Sequence, residues 1–330
     1  MPETTTATFD LAELYGPVGD DLRRVQRLFD DELLCDLPFV AALCDTVRSY
    51  RGKMLRPALL LLTGRACGAI TPAHHTLAAV VEMVHMATLV HDDVLDAAGE
   101  RRRQPTIAAI RGNEAAVLLG DFLISHAYHL CSALDGPFAS RRVAAATNTV
   151  CEGELLQNQR RGDLRLREAE YLDIIGRKTG ALTAVATELG AAFAGADEPV
   201  VEAMRRFGHH LGVAFQIVDD VLDLVGDSEI VGKSLGRDAA RGTLTLPMIH
   251  ALSCASPATA KALRSALTEG AAPERNLVCQ RLNETGSIDY AVAAAREHTT
   301  KAIGELNRLS PSDACASLSA MTEFVVDRHF

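Results

Sequence analysis

Strand signals are nearly absent from this chain: no series of alternating, β-branched segments is set between Asn-Gly or Asp-Gly turns. Apolar residues instead recur every three or four positions in long Ala- and Leu-rich stretches, the spacing that puts them on one face of a helix. The pattern predicts helices over about 20–35, 38–50, 54–67, 73–96, 114–134, 139–160, 167–178, 180–194, 198–225, 244–253, 258–269, 274–284, 288–308 and 312–328. Thr71-Pro72 and Asp197-Glu198-Pro199 each offer a capping side chain followed by a proline in the first turn. No linker rich in Ser, Gly or Pro divides the 330 residues. The expectation is all-α: one large domain over 19–330, helices surrounding a deep central cavity, after a flexible N-terminus over 1–18.

Charge and composition then remove several classes of function. Lys plus Arg number 33 against 43 Asp plus Glu, a net charge of −10, which argues against nucleic acid or an anionic membrane as the main partner. No apolar run approaches the ~18 residues of a membrane span, so no stable membrane insertion is expected. The eight cysteines are scattered without a C-x-x-C pair, as befits thiols of a reducing compartment, and no basic head followed by an apolar core opens the chain. Together these features predict a cytoplasmic protein. With no Trp and only 5% aromatic residues, a cavity walled by indole rings is excluded.

One pentapeptide occurs twice, Asp-Asp-Val-Leu-Asp at 92–96 and again at 219–223, each copy ending a long apolar helix. On a helix, positions i and i+4 stack, so Asp92 sits above Asp96 and Asp219 above Asp223, with Asp93 and Asp220 turned aside. A solvated acidic helix end is the plain alternative. Against it, Asp is a poor helix former, and carboxylates at a helix C-terminus face the negative end of the macrodipole, at about 0.3–1 kcal/mol each. Six such carboxylates call for compensating positive charge, and oxygen-only ligands favour Mg²⁺ over zinc. Mg²⁺ so held keeps positions open for phosphate oxygens, so an acidic protein can grip a diphosphate. Basic residues lie near both copies: Lys53 and Arg56, the run Arg101, Arg102, Arg103, then Lys178 and Lys233. Singly each reads as a surface charge; as a set they suggest two diphosphate sites.

With GKMLRP at 52–57, VHMATLVHDDVLDAAGERRRQPT at 84–106, GDFL at 120–123, EGELLQ at 152–157, KTGAL at 178–182, FQIVDDVLD at 215–223 and GKSLGRD at 232–238, the chain resembles the trans-prenyl diphosphate synthases, the polyprenyl synthetase family. The resemblance runs from about Lys53 to Leu252 and more loosely onward. It implies a homodimer that joins an allylic diphosphate to isopentenyl diphosphate by ionisation, condensation and elimination, with about three Mg²⁺ per site. By motif position, Asp92, Asp96 and Asp219 bind metal most directly, supported by Asp93, Asp220 and Asp223. Arg101, Lys178, Thr179, Gln216 and Lys233 hold the allylic substrate, and Lys53, Arg56, His85 and Arg102 the isopentenyl diphosphate. His85 has a competing reading as a hydrogen-bonded core residue; Glu82 and Asp121 read as structural anchors.

Ala87 stands five residues before Asp92, where short-chain members carry a bulky aromatic floor, and its neighbour Thr88 is also small; this resembles the bacterial long-chain synthases and implies an all-trans product of about six to ten isoprene units (about C30–C50). Ala87 could equally be a packing residue, with the floor built by Val84, Phe122 or Leu156, leaving a farnesyl or geranylgeranyl synthase as the alternative. Thr243 stands where the family has a lysine for the allylic diphosphate, and Arg241, two residues earlier, offers a cation with a different direction. A class I terpene cyclase would carry a different second metal motif and aromatic walls. A regulatory subunit would show eroded aspartates, and both motifs are complete.

Overall fold

The structure, a computed structural model, describes residues 11–50, 52–101, 104–226, 236–268 and 275–327. Helices α1 (Gly19–Glu32), α2 (Pro38–Ser49), α3 (Leu55–Cys67), α4 (Pro72–Leu95), α5 (Asn113–Ser132), α6 (Phe138–Gln159), α7 (Glu168–Ile175), α8 (Ala181–Phe193) and α9 (Glu198–Val225) lead into α10 (Leu246–Cys254), α11 (Pro257–Thr268), α12 (Arg275–Glu284), α13 (Ser287–Leu306) and α14 (Asp313–Val326). The periodicity had placed each of these within a few residues. A hairpin of two-residue strands, Glu100–Arg101 and Gln104–Pro105, follows α4 and has no signature in the pattern. No helix of the described residues is long and apolar enough to cross a membrane.

At the centre, α8 packs against α3, α4 and α9, while α9 also runs along α13. These inner helices bury almost their whole circumference: Ala58 to Leu62 of α3 and Leu77 to Val81 of α4 are all fully buried. A helix apolar all round belongs in a core. Polar ties also join them, among them His74 and the bond from the Thr187 hydroxyl to Met204 O. Burial lowers the His74 pKa, and the neutral ring accepts from Thr71 N–H at Nδ1 (3.0 Å) and donates from Nε2 to Gly190 O (3.0 Å).

Within the segment expected to be flexible, Leu11–Leu14 is not loose chain but helix, and Leu14 and Val18 are buried, their apolar side chains covering the core beside α14. Nor does the chain break at 178–180. A π-helical turn, Gly176–Gly180, joins α7 to α8 without interruption. Such single wide turns recur at functional sites, and this one carries Lys178 and Thr179.

Candidate active site

The first aspartate motif ends α4, and Asp96 is its C-cap; the second lies in the last two turns of α9. Both reach a cavity of about 1050 Å³, whose wall includes Asp92 and Asp219 together with Lys178, Thr179 and Gln216. A smaller adjoining cavity of about 100 Å³ is lined by Asp96, Asp220, Arg160, Arg161 and Tyr171, and Lys178, Gln216 and Arg241 border both. The two copies of the pentapeptide therefore face one chamber.

Close helix approach makes this possible. A Cβ on Gly212 would stand 2.8 Å from Gly180 Cα, so only glycine lets α9 lie against the π-helical turn. One helical turn further, Gln216 Oε1 accepts from the Thr179 hydroxyl at 2.8 Å. On the other side a Cβ on Gly153 would come within 2.8 Å of Lys178 N. The next residue, Glu154, pairs with Lys178 Nζ at 2.5 Å. Burial pulls the Lys178 ammonium down, but Asp92 and Glu154 outweigh it, so it titrates above an ordinary lysine.

The six aspartates separate by exposure. Asp93, Asp220 and Asp223 are buried, whereas Asp92, Asp96 and Asp219 are partly exposed. Asp93 is clamped by Arg101, with Nε 2.9 Å and Nη2 2.8 Å from Oδ1. Both Asp220 oxygens are occupied, Oδ2 by the Tyr171 hydroxyl (2.6 Å) and Oδ1 by Gln216 Nε2 (2.8 Å). Burial and the neighbouring Asp238 push the Asp220 carboxyl well up. Asp223 Oδ2 accepts from the Asp238 N–H at 3.2 Å. These three carboxylates have protein partners in this structure, holding the Arg101 guanidinium, the Gln216 amide with the Tyr171 hydroxyl, and the Asp238 backbone.

Asp92 has the opposite problem. Burial raises its carboxyl to about 6; Lys178 opposes this, Glu154 and Asp96 add to it, and Arg101 opposes it more weakly. A carboxylate crowded by other carboxylates fits an added cation. Among the described residues no group of three or more His, Cys, Asp or Glu side chains forms a ready-made metal cage.

Lys53, Arg56 and His85 line the same large cavity. Arg56 is sunk deeply enough that burial lowers its pKa against the pull of Glu82, and its Nε is buried without a hydrogen-bond partner. A buried guanidinium edge with nothing to donate to is suited to an anion. Met54 (φ 51°) and Ala97 (φ 46°), the two non-glycine residues with positive φ among the described residues, both border this cavity. Backbone held in that region gathers at functional sites. Arg102 and Lys233 lie outside the described residues.

Thr88 is on the cavity wall, but Ala87 is not: it is fully buried. Five residues before Asp92 on a helix is a rotation of about 140° away from it, and four is about 40°. Val84, Phe122 and Leu156 are likewise off the wall, which is built from Met86, Leu89, Val150, Cys151, Leu155 and Phe324 among others. Sequence reasoning missed Glu154, Arg160, Arg161, Tyr171 and Asp238. For Glu154 and Asp238 a signal was present, since they stand inside EGELLQ and GKSLGRD; the other three have none.

Residues 38–282 match the polyprenyl synthetase family. The chain belongs to that family. It is 36% identical over 317 residues to the all-trans-nonaprenyl-diphosphate synthase (geranyl-diphosphate specific) of Rhodobacter capsulatus, covering 96% of this chain and 97% of that one. It is 32% identical to heptaprenyl diphosphate synthase component 2 of Bacillus subtilis, over 96% of this chain and 90% of the relative. The crystal structure of a Caulobacter crescentus polyprenyl synthase, complexed with calcium and isoprenyl diphosphate, superposes with a TM-score of 0.92 at 34% identity, covering 97% and 98% of the two chains. The protein is a prenyltransferase of a divalent-metal-dependent family that uses isopentenyl and allylic diphosphates.

Proposed function

We propose that this polyprenyl synthetase extends an allylic diphosphate by successive isopentenyl units to a long all-trans polyprenyl diphosphate of about C30–C50. The observation that carries the reading is that Asp92 and Asp219, from the two motif copies, line one cavity with Lys178, Thr179 and Gln216. Asp92, Asp96 and Asp219 would hold Mg²⁺, about three ions per site. Bound there, the metal supplies Lewis acidity to the departing diphosphate.

The protein's own residues do the rest. Lys178, with Arg101 behind Asp93, presents positive charge to the allylic diphosphate, and Lys233 joins them. Thr179 donates to Gln216, which leaves the threonine lone pairs for the allylic cation formed when the carbon–oxygen bond breaks. Those dipoles stabilise positive charge without bonding to it. Lys53, Arg56, His85 and Arg102 anchor isopentenyl diphosphate so that its double bond meets the allylic carbon, where the new carbon–carbon bond forms. Loss of a proton to the released diphosphate restores a double bond, so no His or Glu base is required. The growing chain then runs past Thr88 along the apolar wall.

We also infer a homodimer in the cytoplasm. Leu118 on α5 is 66% exposed, with Val117 and Ile110 also exposed nearby in the chain. Large apolar side chains grouped like this favour a partner surface. Incubation with Mg²⁺, farnesyl diphosphate and labelled isopentenyl diphosphate tests the whole reading. The expected result is an elongated linear product; cyclic hydrocarbon from farnesyl diphosphate alone, or silence until a second protein is added, would overturn it.

A further inference from the structure

Asp96 closes the first aspartate motif, yet its carboxylate is already engaged. Arg241 Nη1 lies 2.7 Å from Oδ2, and Arg241 Nη2 donates to the Asp96 carbonyl at 3.0 Å. Arg161 Nη2 stands 4.0 Å from the other carboxylate oxygen. Asp96 is the C-cap of α4, where the unpaired carbonyls of a helix end add to the negative charge. The guanidinium thus sits where a cation is wanted.

The turn that presents Arg241 is tethered on two sides. Gly236 N–H donates to Asp223 O at 2.7 Å and Asp238 N–H to Asp223 Oδ2 at 3.2 Å, tying it to the second motif. Gly162 N–H donates to Gly242 O at 2.8 Å, tying it to the chain just beyond α6. Arg241 is therefore held by its backbone at a place that borders both cavities, and its side chain is partly exposed. Thr243, on the smaller cavity, carries no charge.

We propose that Arg241 is a reserve cation: it neutralises Asp96 while no divalent ion is bound, and passes to the diphosphate oxygens of the allylic substrate once an ion takes Asp96. A guanidinium stays charged at any working pH, and its fork fits carboxylate and phosphate alike, so the exchange trades one charge-assisted pair for another. This rests on Asp96 being a metal ligand. It has a consequence that a structural prop does not share, because removing Arg241 shifts two affinities in opposite directions. Divalent ions meet an uncontested Asp96, while the diphosphate loses a partner.

The test uses the full-length protein and its Arg241→Gln variant, both checked for an unchanged melting temperature in EDTA. Mn²⁺ is titrated alone by calorimetry; farnesyl thiodiphosphate, an unreactive allylic analogue, is titrated in saturating Mg²⁺. The variant should bind Mn²⁺ several-fold more tightly and the analogue at least about tenfold more weakly, the scale of a lost charge-assisted contact. The KM for isopentenyl diphosphate should not move. Adding Thr243→Lys should restore analogue binding and leave Mn²⁺ binding tight. If both affinities stay unchanged in Arg241→Gln, or both weaken together, the exchange is overturned. If the variant melts lower, Arg241→Lys, which keeps the charge, decides: weakened binding of both ligands there overturns the proposal, and near-native Mn²⁺ affinity with a weakened analogue supports it. Wild-type protein that fails to elongate farnesyl diphosphate with Mg²⁺ would instead sink the underlying function.

Discussion

Replacing Asp92 by Asn should make the metal-free protein more stable while abolishing its turnover. The wild-type carboxyl rises from 3.8 to about 6, chiefly through burial, with Glu154 and Asp96 adding to it against Lys178. That corresponds to about 3 kcal/mol of unfavourable charge at pH 8, reduced to about 1–2 kcal/mol by partial exposure and salt. Because the folded-state value is raised, the contribution of Asp92 to stability is complete below about pH 3.8 and is lost as pH climbs through about 6. Asn keeps the volume and removes the charge. In EDTA at pH 8 the variant should therefore melt a few degrees above wild type, and the gap should shrink as pH falls from 6 to 4. Thermal melts of both proteins across that range decide the matter. A variant that melts lower at pH 8, or a gap that ignores pH, would refute the electrostatic reasoning even if turnover were lost.

The same geometry makes further commitments. Thr88→Phe, placed on the cavity wall, should shorten the product without stopping condensation, as read from the chain length of the extracted alcohols; an unchanged spectrum would put the floor elsewhere. Gly212→Ala should cost about 1–3 kcal/mol in urea denaturation by overpacking against the π-helical turn, and should lower kcat through the separation of Thr179 from Gln216. Tyr171→Phe should lower kcat more than either KM, since it removes the hydroxyl bonded to Asp220 Oδ2 and loosens Gln216; equal loss in all three would argue against a positioning role. Leu118→Glu should shift the protein toward a monomer in sedimentation, because Leu118 is 66% exposed on the face assigned to the partner.

Much of this was legible in the residues. Helical periodicity located the long helices, since a 3.6-residue repeat survives wherever one face is buried. The duplicated pentapeptide located the chamber, because two acid-rich helix ends are costly unless they meet a shared cation. What the sequence left out depends on contacts between distant segments. Nothing near Asp220 indicates that Tyr171 will cap one of its oxygens, and nothing in RKTG announces a π-helical turn, which arises where α8 must cross Gly153 and Gly212 at close range. Ala87 and Thr88 differ by one position and 100° of rotation; the family pattern points to Ala87, whereas the cavity is lined by Thr88.

The most direct measurement is a crystal structure grown with Mg²⁺ and farnesyl thiodiphosphate. The account predicts carboxylate oxygens of Asp92 and Asp96 on one side and Asp219 on the other, each at about 2.0–2.1 Å from ions that touch the same diphosphate. A diphosphate bound elsewhere in the cavity, with those three carboxylates free of metal, would contradict it.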